Sequence, residues 1–194
     1  MRDALIVSTA RTPLTKSYRG TFNNTTAPTM AGWAIEEAVK RSGVDPEKVD
    51  DVIMGAALQQ GTTHCNVARN AALSAGLPVT VSGMTLDRQC SSGMMAIATA
   101  AKQIISDGMD VVVGGGLDSI SLVQTEKMNL DRWVDKKLIA KHKHIYMPML
   151  KTAEVVANRY NISRESQDEY SLQSQLRTAK GQEEGKFDDE IISV

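Results

Sequence analysis

Gln89-Cys90-Ser91-Ser92-Gly93 sets a thiol immediately ahead of the apolar run Met94 to Ile105. The composition of that run is helical, and a helix's first turn carries unpaired N–H groups and the positive end of the macrodipole. Both stabilise a thiolate and a developing oxyanion. Ser91, Ser92 and Gly93 are small enough for a substrate carbonyl to approach those N–H groups. Cys90 is therefore the candidate nucleophile, set against the alternative of a structural thiol in the core. Cys65 lacks this setting and reads as inert. His64, His142 and His144 are the chain's histidines. His142 and His144, two residues apart, share no helix face and read as part of a solvated basic loop with Lys136, Lys137, Lys141 and Lys143. Gly114-Gly115-Gly116 does not extend to a dinucleotide fingerprint, because Ser119 stands where the third glycine belongs; it reads as a tight strand exit.

The elements that must position Cys90 follow from periodicity. Ala4 to Ser8 is an apolar run of buried-strand length closed by Arg11-Thr12-Pro13, which predicts a first, central strand. Met30, Ala31, Ala34, Ile35, Ala38 and Val39 form a helical stripe that stops at Ser42-Gly43. Asp51 to Leu58 supplies a second strand. Asn66 caps a short helix over 67–75 closed by Gly76, and Val81 to Leu86 is a third strand leading into Cys90. The helix after Cys90 is apolar nearly all round and is predicted to lie between two layers. Met109 to Gly114 is a fourth strand. From Leu122 charged residues crowd in as an insertion-like excursion. Helical spacing returns over 152–160 and 164–184, and Glu190 to Val194 begins a last strand. Alternating strands and helices predict an α/β chain with a mixed, mostly parallel sheet.

The chain has 194 residues, 42% hydrophobic and 23% charged, enough to bury a core as a soluble globular unit. A formal net charge of −1 gives no global electrostatic case for nucleic acid. No segment has the length of a membrane span, and the N-terminal apolar stretch is too short for a signal-peptide core. A cytoplasmic location is expected. Two distant cysteines suggest neither a zinc site nor a disulfide framework.

Taken together, the residues around Cys90 resemble the thiolases, the acyl-CoA C-acyltransferases. The resemblance rests on Met84-Thr85-Leu86-Asp87-Arg88 with Gln89-Cys90-Ser91-Ser92-Gly93, and on Val111 to Ser121. It extends to Arg11-Thr12-Pro13, Met54-Gly55, Asn66-Val67-Ala68-Arg69, Met149 with Thr152-Ala153-Glu154, and Ile162 to Asp168. The family's later motifs, an Asn-Glu-Ala-Phe-like segment, a Gly-His-Pro segment and a second cysteine in a Cys-x-Gly-Gly-Gly-like turn, have no counterpart. The match is thus to a thiolase's N-terminal half. Leu150, Pro148, Asp118 and Ile120 depart from the commoner Gly, His, Glu and Met.

The resemblance implies a thiolase-like fold, with an N-terminal α/β domain over 1–121 and a loop or insertion region over 122–194. It implies an acyl-enzyme on Cys90, an oxyanion held by the Cys90 backbone N–H, and Met149 beside the thioester end of an acyl-CoA. It further implies coenzyme A thioesters as substrate, no cofactor or metal, and a homo-oligomer, a dimer or tetramer. The His and second Cys bases belong to the missing motifs, so the isolated chain is expected to turn over little or not at all. A ketoacyl-synthase-like condensing enzyme is the alternative within the same fold. A non-catalytic chain that merely folds and associates is the alternative outside catalysis.

Overall fold

The computed structural model describes residues 2–194. It comprises two compact units, one formed by 1–129 with 189–194 and the other by 130–188. The first unit carries α1 (Ala27–Ser42), β1 (Asp51–Gly55), α2 (Val67–Ser74), β2 (Ser82–Leu86), α3 (Ser92–Lys102), β3 (Val112–Gly116) and a short α4 (Ile120–Val123). Its sheet runs β2-β1-β3 with every pairing parallel, and Ile53 sits in register between Met84 and Gly114.

The caps read from sequence are the caps that form. Gly43 ends α1 in the left-handed region at φ 68°, and the Asn66 side chain accepts the Arg69 N–H at the start of α2. Strand alternation then sorts the core into layers. Val52 and Met54 pack with Ala31, Ile35 and Val39 of α1 and Ala68, Ala71 and Ala72 of α2, whereas Ile53 meets Ala96 and Ala100 of α3. The central strand is buried along its whole length, as a parallel sheet covered on both faces requires.

Three expectations are corrected. The stretch 4–8 forms no ladder and is not a central strand; its backbone is extended but pairs with none of the three strands. It is held instead against α1, with the Ser8 hydroxyl donating to Ala38 O (2.6 Å) and Arg41 donating to Thr9 O (3.0 Å). The fourth predicted strand begins later, at Val112, because the Asp50 carboxylate captures the Asp110 and Val111 N–H groups (2.8 and 3.1 Å) in a loop. As expected, the strand ends on Gly114, Gly115 and Gly116. The helix after Cys90 is covered on one side only: Ala96 and Ala100 are buried on the sheet, while Met94 is 77% exposed and Ile97 and Ile105 are also exposed. Its final turn, Gln103–Asp107, widens to a π-helix that ends at Gly108.

The predicted last strand contributes an isolated bridge, Arg11 with Ile191. The second unit consists of α5 (Lys136–Lys141), α6 (Met149–Tyr160) and α7 (Arg164–Glu183). Asp135 caps α5 through the Lys137 and Leu138 N–H groups, and Ser163 caps α7 through Ser166. Among the described residues no helix is long and apolar enough to cross a membrane.

Candidate active site

Cys90 sits on a tight turn between β2 and α3, one residue ahead of the Ser91 cap. Asp87 builds the turn's first half by accepting the Gln89 N–H on its carboxylate (2.7 Å), and Gln89 takes the left-handed conformation at φ 50°. Ser92 builds the second half. Its hydroxyl donates to Gln89 O (2.6 Å) and accepts the Arg88 N–H (2.8 Å), while the Ser91 and Ser92 N–H groups donate to Arg88 O and Gln89 O. None of these bonds uses the Cys90 N–H. The turn thus presents an exposed thiol together with a backbone donor on the same residue, the pairing that an acyl-transfer nucleophile and its oxyanion require.

The seat of α3 is fixed by absent side chains. A Cβ on Gly55 would come within 2.5 Å of the Gly93 nitrogen, and one on Gly116 within 2.9 Å of the Gly93 Cα. Both strand ends are therefore pressed directly against the first turn of the helix. At the far end the Gln103 amide donates to the buried Asp51 carboxylate (3.0 Å). α3 accordingly runs antiparallel to β1, its head at the carboxyl ends of the strands, where open parallel sheets place their ligands.

The strand exits are laced together beside Cys90. Ala56 N–H donates to Leu86 O, and Leu117 N–H donates to Gly55 O, each at 3.0 Å. Asp118 then accepts the Ala57 and Leu58 N–H groups on one carboxylate oxygen (3.1 and 3.3 Å). Although Asp118 keeps contact with solvent, partial burial of its carboxyl raises the pKa above the ordinary 3.8. The two N–H bonds work against that rise, and the negative Asp87 adds to it.

Cys65, expected to be inert, is exposed, and its thiol lies 3.2 Å from His64 Nε2. It precedes the Asn66 cap with φ at 46°. Sequence reasoning missed this pair because proximity of neighbouring side chains depends on the turn they occupy. It missed Asp118 as a tie between two strand exits for the same reason. The Asp87-to-Gln89 turn was detectable, since an Asp followed two residues later by a backbone donor is a common local motif.

The remaining candidates belong to the second unit. Met149 is the first residue of α6 and is exposed. The α6 start is held by Thr152, whose N–H and hydroxyl both donate to Pro148 O (3.0 and 3.3 Å). Lys136, Lys137, Lys141, His142, Lys143 and His144 are all exposed on α5 and the loop after it. Among the described residues no cluster of three His, Cys, Asp or Glu side chains forms a metal-holding group.

Comparison with known proteins identifies the family. The family model for the thiolase N-terminal domain matches residues 4–194. The 3-ketoacyl-CoA thiolase of Bacillus subtilis (strain 168) is 39% identical over 194 residues, covering 100% of this chain and 49% of that protein. An acetyl-CoA acetyltransferase of Cupriavidus necator is 38% identical, covering 100% of this chain and 51% of that protein. The crystal structure of the Bacillus anthracis acetyl-CoA acetyltransferase superposes with a TM-score of 0.86 at 38% identity, over 99% of this chain and 50% of that one. The chain spans about half the length of the curated relatives it matches. Matched by the N-terminal-domain model over 4–194 and sharing the fold of an acetyl-CoA acetyltransferase at 38% identity, the chain belongs to the thiolase family, whose N-terminal domain it represents.

Proposed function

We propose that this chain supplies the nucleophile of an acyl-CoA C-acyltransferase, a thiolase in which Cys90 carries the acyl group. The observation that carries the reading is the exposed Cys90 thiol on a turn fixed by Asp87 and Ser92, with its own N–H unspent. In thiolysis the Cys90 thiolate attacks C3 of a 3-ketoacyl-CoA. The C2–C3 bond breaks, and the electron pair leaves as the enolate of acetyl-CoA, which takes up a proton. The thiol of coenzyme A then attacks the acyl-enzyme and gives up its proton, and Cys90 leaves as thiolate. Run in reverse from acetyl-CoA, the sequence is a Claisen condensation. The Cys90 N–H holds the tetrahedral oxyanion, a contribution of about 3 kcal/mol per donor.

The thiolase resemblance assigns Met149 to the thioester end of the substrate, and coenzyme A is substrate, with no cofactor needed. The proton-transfer groups, a His and a second Cys, belong to the part of the relatives that this chain does not span. The working protein is a homo-oligomer in a reducing, cytoplasmic setting, in keeping with two free cysteines.

The test is peptide mapping by mass spectrometry after incubation with acetyl-CoA. Acetyl is expected on Cys90, abolished in Cys90→Ser and retained in Cys65→Ser. Acetyl on Cys65 instead, assisted by His64, would overturn the assignment. Thiolysis of acetoacetyl-CoA by the chain alone is expected to be near background, because each missing acid–base group is worth on the order of 10²- to 10⁴-fold.

A further inference from the structure

The stretch from Leu130 to Met147 brings positive charge and apolar surface together. Arg132, Lys136, Lys137, Lys141 and Lys143 stand against the carboxylates of Asp131 and Asp135, a local positive excess in a chain whose formal net charge is −1. Asp135 spends its carboxylate on the Lys137 and Leu138 N–H groups at the start of α5 (2.7 and 3.1 Å). Among the described residues none of these four lysines takes part in an ion pair. The same stretch exposes Leu130, Trp133, Val134 and Ile145, at 58, 51, 47 and 54%.

Helix α5 sorts its residues by face. At about 100° per residue, Lys136, Ala140, Lys137 and Lys141 share an arc of about 140°, and Leu138 and Ile139 lie opposite. Burial follows the same division, with the lysines and Ala140 exposed and Leu138 and Ile139 half-buried. After α5 the chain turns back through His142 and His144, whose carbonyls accept the Ile145 and Met147 N–H groups (both 3.0 Å). The Tyr146 hydroxyl then accepts the Asp135 N–H (3.2 Å). That bond closes 135–146 into one turn, with Trp133 and Val134 at one end and Ile145 at the other. A basic helix face is thus bordered by exposed apolar side chains.

We propose that this surface is a peripheral membrane site, which lies on an anionic lipid bilayer with its lysines over the headgroups and Trp133 and its apolar neighbours in the boundary of the acyl chains. Charge complementarity selects the sign of the lipid. The apolar border selects a bilayer over a discrete anion, which has nothing to offer Trp133, Val134 and Ile145. There is also no cradle for a single phosphate, since all four lysines are exposed and Asp135 already occupies N–H groups at the start of α5. Ammonium groups on flexible stems suit a diffuse layer of charge, whereas the rigid fork of an arginine suits one phosphate or carboxylate. The attachment is superficial, because among the described residues no helix is long and apolar enough to cross a membrane. It does not depend on the thiolase reading, in which the lysines and the apolar border have no part.

The experiment is co-flotation of the full chain with vesicles of phosphatidylcholine alone and of phosphatidylcholine and phosphatidylserine in equal parts. Binding is expected to the anionic vesicles only, and is expected to weaken as added salt shortens the screening length. It should carry a blue shift in tryptophan emission that Trp133→Ala abolishes. A lysine close to an anionic surface is worth about fivefold in binding, so Lys137→Glu with Lys141→Glu should weaken it by at least about 25-fold. Lys16→Glu with Lys48→Glu makes the same change in net charge at exposed lysines of the other unit and should leave binding intact. Circular dichroism checks that each variant folds as the parent does. Binding to neither kind of vesicle, equal binding to both, full binding by the Lys137 and Lys141 variant, or an emission shift that survives Trp133→Ala each overturns the proposal. An equal loss in the Lys16 and Lys48 variant overturns it as well, by reducing the effect to net charge. So does release from anionic vesicles by coenzyme A at matched ionic strength, which would assign the lysines to its phosphates.

Discussion

Asp118 ties the exits of β1 and β3 and does so at an electrostatic cost. Its folded-state pKa lies above 3.8, raised first by desolvation and further by Asp87. Between 3.8 and the raised value the folded chain holds a proton that the unfolded chain has released, so this group's contribution to stability falls as pH rises through that window. Asp118→Asn keeps an oxygen to accept the Ala57 and Leu58 N–H groups and removes the charge. It is expected to raise Tm near pH 7, by no more than about 1 kcal/mol after solvent screening, or ~2–4 °C. Near pH 3, where both states of the native Asp are protonated, the gain should vanish. Thermal melts at the two pH values check this, and a loss at pH 7 would contradict it.

At the scale of elements, the position of Cys90 is set by how closely α3 can settle on the sheet. Gly55 and Gly116 bring two strand ends against the helix's first turn, and backbone atoms, not flexible side-chain ends, oppose any added Cβ. Gly55→Ala must therefore push the head of α3 outward. The expected cost is about 1–3 kcal/mol in denaturant unfolding, with a marked fall in the rate of Cys90 acetylation. Gly43→Ala is the control. Its φ of 68° strains an Ala by about 1–2 kcal/mol, but nothing lies within 4 Å of the new Cβ and the site is the end of α1. It should lose stability and keep its acetylation rate. Equal effects of the two substitutions on acetylation would show that stability alone, not the seat of α3, controls Cys90.

For the whole molecule, the uncovered side of α3 predicts association. Met94 and Ile105 stand on that side, and β2 is an open sheet edge carrying Met84. Exposed apolar side chains of this kind favour pairing. Sedimentation velocity is expected to show a dimer that grows with concentration, and Met94→Lys with Ile105→Lys is expected to weaken it without lowering Tm. A monodisperse monomer that binds no apolar-surface dye would contradict this.

What the sequence determined by itself was local. The caps at Gly43 and Asn66, the helical stripe of α1, the strand–thiol–helix order around Cys90 and the thiolase resemblance were all legible, because each depends on residues close together in the chain. Tertiary structure decided whatever needs a distant partner. Ala4 to Ser8 has a strand's composition, yet a strand exists only where a neighbour accepts its hydrogen bonds, and Ser8, Thr9 and Arg11 are bound elsewhere. The apolar circumference of α3 suggested cover on every side, but composition records what a face favours and not what lies against it. The start of β3, the tie made by Asp118 and the pairing of Cys65 with His64 depend likewise on where folding brings a carboxylate or an imidazole, a matter of three-dimensional proximity that spacing along the chain does not encode.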